Sequence, residues 1–111
     1  MSDKEKKILE KTGDFEELLI ESLRDPKKAA AYLQVALDEY QEDRDTEIFL
    51  LALKNVTKAQ GGISKLAEKT KLNRQHLYHA LSPKGNPSLN TLGDIIHALG
   101  FHLSIDCAAA A

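Results

Sequence analysis

Five polar side chains crowd one short stretch of this chain: Arg74, Gln75, His76, Tyr78 and His79. Arginine presents a planar fork of donors that matches O6 and N7 of guanine. Glutamine offers the donor and acceptor that match N6 and N7 of adenine. Tyr78 has the reach for a phosphate or a thymine methyl. Around this stretch stand Lys65, Lys69, Lys71 and Lys84. Their charges suit phosphate contacts, which position a protein on a duplex without reading its sequence. Asn73 precedes the stretch as a helix cap, and the helix start behind it presents backbone N–H groups to an anion. The expected division is base reading by Arg74, Gln75, His79 and Tyr78, and phosphate contact by Lys65, Lys69, Lys71, Asn73 and Lys84.

Other chemistries find less support. A single cysteine, Cys107, excludes a disulfide framework and a multi-cysteine zinc site. His76 and His79 lie three residues apart and share a helix face, but no third ligand is placed beside them. No metal or cofactor is expected. Carboxylates are plentiful from Asp38 to Glu47, yet their spacing outlines no pocket, and there is no phosphate-binding loop or dinucleotide fingerprint. The chain is not expected to be an enzyme. No apolar run reaches the length of a membrane span, and MSDKEKKILEK at the start lacks the apolar centre of a secretory signal. These features point to a reducing, cytoplasmic compartment and no membrane partner.

Such side chains need a frame that points them outward. The chain has 111 residues, of which 42% are hydrophobic and 29% charged, enough for one small domain. Helix formers dominate, so the expected class is all-α. Asp14 and Glu17 form a capping pattern ahead of Phe15, Leu18, Leu19 and Leu23, a short helix ending near Arg24. Asp25-Pro26 starts a helix of about residues 26–41, carried by Ala29, Leu33, Ala36, Leu37 and Tyr40. Thr46 to Ala59 is a third helix, buried on more than one side, and Gly61-Gly62 ends it. Two short helices follow, 63–70 and 74–81. SPKGNPS at 82–88 reads as a loop. Asn90 is the expected cap of a last helix ended by Gly100. Phe101, Leu103 and Ile105 alternate with polar residues, the pattern of a half-buried strand at 101–105.

The two short helices carry the functional expectation. A three-residue turn forces them to cross steeply, with Ala67 small at the crossing and Leu66, Leu72 and Leu77 filling the wedge. That is a helix-turn-helix, whose second helix fits a DNA major groove. The turn position where such motifs usually hold glycine is Lys71, at a cost of about 1 kcal/mol if φ is positive there.

The stretch GGISKLAEKTKLNRQHLYHALSPKGNPSLNTLGDIIHALGFHLSI (61–105) resembles the helix-turn-helix region of addiction-module antidote proteins, the HigA-like antitoxins. DPKKAAAYLQVALDEY and TEIFLLALKNV upstream resemble the same family's N-terminal half. The resemblance implies a λ-repressor-like, five-helix domain with a short C-terminal strand. It also implies two activities: neutralising a small basic toxin of the RelE/HigB-like ribonuclease class, and repressing the chain's own operon by binding double-stranded operator DNA.

The charge distribution accords with two partners. Residues 1–50 hold eight Lys and Arg against fourteen Asp and Glu; residues 51–111 hold seven against three. The expected layout is one domain over 14–105, with 14–50 meeting the toxin or a second copy, 51–105 binding DNA, and flexible tails at 1–13 and 106–111. A homodimer is expected, because one reading helix covers only a few base pairs. The alternative is a plain helix-turn-helix regulator with no toxin partner.

Overall fold

A computed structural model describes residues 15–108 of the chain. Six helices are present among them: α1 Phe15–Ser22, α2 Pro26–Asp43, α3 Thr46–Ala59, α4 Gly62–Thr70, α5 Arg74–Ala80 and α6 Leu89–Ala98. The count exceeds the five of the expected fold and equals the six helical stretches that the residue spacing picks out one by one. The short first helix stands apart because the next one starts afresh at Pro26. The Asp25 carboxylate accepts the Lys27 N–H at 2.9 Å, and proline has no N–H with which to continue the preceding helix. The expected cap at Asp14 lies outside the described residues.

The core forms around α3. Its Phe49, Leu50, Leu53 and Val56 are buried, and α1, α2 and α4 all pack on it. Burial on several sides traps two polar residues as well, and each has a partner. Asn55 Nδ2 donates to the Tyr32 hydroxyl at 3.1 Å, and Thr57 Oγ1 donates to the Leu53 carbonyl at 2.8 Å. Lys58 reaches Glu16 at 2.6 Å and ties α1 to α3. At the far end, Gln60 Nε2 donates to the Leu99 carbonyl at 3.1 Å and closes the C-terminus of α6 against that of α3. Leu23 and Ala29 extend the core towards the N-terminus; Leu77, Ile95 and Ile96 extend it towards α5 and α6.

Two expectations about the last third need correction. The cap of α6 is Ser88, not Asn90: the Ser88 hydroxyl accepts the Thr91 N–H at 3.1 Å. Asn90 sits inside the first turn and is exposed. There is also no strand at 101–105, nor anywhere among the described residues. Gly100 adopts φ 91, Phe101 N–H donates to the Ile96 carbonyl at 3.1 Å, and Gly100 N–H donates to that of His97 at 3.0 Å. This left-handed cap turns Phe101 back onto the core, where it is half-buried. Beyond it no neighbouring strand offers backbone partners, so the alternating pattern stays irregular. Leu103 and Ile105 are left 44% and 99% exposed.

Candidate nucleic-acid interface

The unit built from α4, residues 71–73 and α5 begins with a buried seam. Leu66 and Leu77 are buried, and Ala67 and Leu72 are partly buried against the same core. Thr70 strengthens the end of α4 by donating to the Leu66 carbonyl at 2.8 Å and accepting the Leu72 N–H at 3.2 Å. Lys71 then takes the left-handed conformation, φ 61, and its N–H donates to the Ala67 carbonyl at 2.8 Å. The conformation foreseen for this position is the one found, on a residue whose Cβ disfavours it. Asn73 is extended, and its side chain accepts the His76 N–H at 2.7 Å, which starts α5.

On α5 the spacing sorts the side chains. Leu77 and Ala80 face inward; Arg74, Gln75, His76, Tyr78 and His79 are exposed. Tyr78 stands 57% exposed on a helix of seven residues. Arg74 is not free in space: its Nη2 donates to the Ser64 hydroxyl at 2.6 Å, across the gap between α5 and the first turn of α4. The guanidinium keeps further N–H groups for other acceptors while its position is held.

His76 behaves differently from its neighbours. Its Nε2 lies 3.5 Å from the Thr91 hydroxyl oxygen, and Thr91 in turn accepts from the Ser88 hydroxyl at 3.1 Å. This chain of side chains joins α5 to the start of α6 and sets His76 apart from the Gln75 and His79 side of the helix.

The cationic residues do not form one cluster. Lys65 and Lys69, four apart on α4, border a small crevice with Thr57, Gln60, Ala98 and Leu99, a different flank from the one where Ser64 meets Arg74. Lys71 is exposed at the turn, and Lys84 is exposed in the loop after α5. Gly85 brings that loop tight against α5: a side-chain carbon there would overlap the carbonyl oxygens of Ala80 and His79. Glu68, also exposed, shares the Ser64 face of α4 and sets a negative charge on that side.

Sequence reasoning missed Ser64, Glu68, Thr91 and Gly85. Ser64 lies ten residues from Arg74, and Thr91 lies fifteen from His76, so no local spacing links either pair. Glu68 could have been found from its separation of four from Ser64 on a helix. Gly85 carried the weaker signal of a glycine set between Pro83 and Pro87.

Residues 11–107 match a family model described as a probable addiction module antidote protein. An uncharacterized protein of Haemophilus influenzae is 30% identical over 73 residues, covering 66% of this chain and 74% of that protein. No solved structure matches the chain.

Proposed function

The chain belongs to the family of probable addiction module antidote proteins, and from that premise we propose that it is the antitoxin of a type II toxin–antitoxin module. In this reading it neutralises a small basic toxin of the RelE/HigB-like ribonuclease class by direct binding. It also represses its own operon, with α4 and α5 acting as a λ-repressor-like helix-turn-helix. It works in the cytoplasm as a homodimer on paired half-sites, and the exposed Ile105 supplies apolar surface for the second copy.

The observation that carries the DNA-binding half is the sorting of α5. Arg74, Gln75, Tyr78 and His79 are exposed on a short helix whose Leu77 is fully buried. Arg74, Gln75, His79 and Tyr78 are then the base readers. Lys65, Lys69, Lys71, Asn73 and Lys84 touch phosphate, with Lys65 and Lys69 reaching a different stretch of backbone from Lys71. Asn73 contributes through the helix start it caps, since its side-chain oxygen already accepts the His76 N–H.

The test compares two variants on DNA from upstream of the chain's own gene. Arg74→Ala is expected to weaken binding by about 1–3 kcal/mol and to relax preference at one base position. Lys71→Ala is expected to weaken binding to all sequences alike and to lower the salt slope by about one unit. Arg74→Ala binding with unchanged affinity and preference would remove α5 as the reading helix. Copurification with the product of the adjacent reading frame tests the antitoxin half; its failure with intact operator binding leaves the plain regulator.

A further inference from the structure

An apolar groove of about 210 Å³ lies between the α2–α3 hairpin and the start of α6. Leu37, Tyr40, Phe49 and Leu50 form its floor on the hairpin side. Leu92 and the Asn86-Pro87 segment close the other side. A second hollow of about 120 Å³ adjoins it and shares Leu37 and Phe49; Leu33, Ile96, Phe101 and Leu103 add to its apolar lining, and Gln34 and His102 are polar. The shared side chains make the two hollows neighbouring parts of one trough.

One end of the trough adjoins acidic residues. Thr46 lines the larger hollow at the start of α3, between Asp45, which caps that helix, and Glu47 in its first turn; Asp43 ends α2, and all three carboxylate residues are exposed. The cation between Asp43 and Asp45, Arg44, is stacked over the Tyr40 ring at 5.7 Å. An apolar floor with an acidic end is complementary to a segment that is apolar on one face and basic beside it. Two adjoining hollows suit two apolar side chains one or two helical turns apart. A protein that cleaves RNA must itself carry positive surface for phosphate, so a basic segment is what such a partner has to offer.

We propose that this trough is the seat of the partner protein, and that its occupant is a basic amphipathic helix of that partner inserting apolar side chains over Leu37 and Phe49. This rests on the antitoxin reading and deepens it. The seat is not confined to residues 14–50, because Asn86, Pro87 and Leu92 supply one of its walls. Those residues follow directly on the loop that Gly85 holds against α5.

The experiment measures binding of the purified adjacent-frame product to the full chain by calorimetry. Thr46→Trp fills the larger hollow, and Glu47→Lys reverses charge at its acidic end. Glu21→Lys makes the same charge change on α1, no residue of which lines either hollow. Thermal unfolding checks that each variant is folded, and light scattering reports the mass of the chain alone. Thr46→Trp and Glu47→Lys are each expected to weaken binding at least tenfold, while Glu21→Lys stays within twofold. If wild type binds and both trough variants bind equally well, the trough is not the seat and the antitoxin reading stands. If the trough variants change the mass of the free chain but not partner binding, the trough is a contact between copies and the proposal fails. If wild type binds no adjacent-frame product, the antitoxin reading fails and takes this proposal with it.

Discussion

Lys71 joins a strained backbone to a charge placed for DNA. At φ 61 a Cβ crowds the backbone, and the cost is on the order of 1 kcal/mol. Lys71→Gly is therefore expected to raise stability by about 1 kcal/mol, or about 4 °C in Tm, and at the same time to lower the salt slope of DNA binding by about one unit. Thermal unfolding and a salt titration on the same sample check both; an unchanged Tm would mean that the turn carries no strain. This position was legible because the cue was local: a three-residue link between two helices leaves little choice of where the chain must turn. His76 was not. It is exposed on α5 as His79 is, and only the 3.5 Å approach of its Nε2 to the Thr91 hydroxyl, on another helix, distinguishes it. The Arg74–Ser64 bond was hidden for the same reason, since it joins two elements rather than two positions on one.

Elements were legible where one local signal stood alone and obscure where two signals competed. Pro26 and the Asp25 cap fixed the start of α2, and the apolar spacing placed α3 with the bounds found. At α6 two good capping residues, Ser88 and Asn90, stand two apart, and the structure uses the first. Ser88→Ala is expected to cost about 1 kcal/mol in chemical denaturation, whereas Asn90→Ala costs a few tenths or less. Equal losses from the two would mean that the cap is shared. Ser88 also bonds to Thr91, the neighbour of His76, so its loss should loosen the contact between α5 and α6. The segment after Gly100 shows the limit of periodicity. Alternation describes which residues could line a face, but a strand exists only where another strand takes its hydrogen bonds.

Across the whole molecule, the imbalance of charge between the two halves was visible in composition; the trough was not. Its walls come from residues about fifty positions apart, Leu37 and Leu92 among them, and no pattern along the chain brings these together. The packing order of the helices has a consequence of a different kind. Of the five main helix–helix surfaces among the described residues, three join neighbours in the chain, α2 with α3, α3 with α4 and α4 with α5; the other two, α1 with α3 and α4 with α6, skip a single helix. Closing each surface therefore requires only a short loop, and the entropy lost before the first contact forms is small. The chain is expected to refold within about a millisecond in a single exponential phase, as local helical topologies do. Stopped-flow or temperature-jump refolding of the free protein measures it, and a dominant phase slower than about a second would contradict the expectation. A molecule built this way regains its shape soon after synthesis or thermal excursion, so its supply in active form follows its concentration with almost no lag.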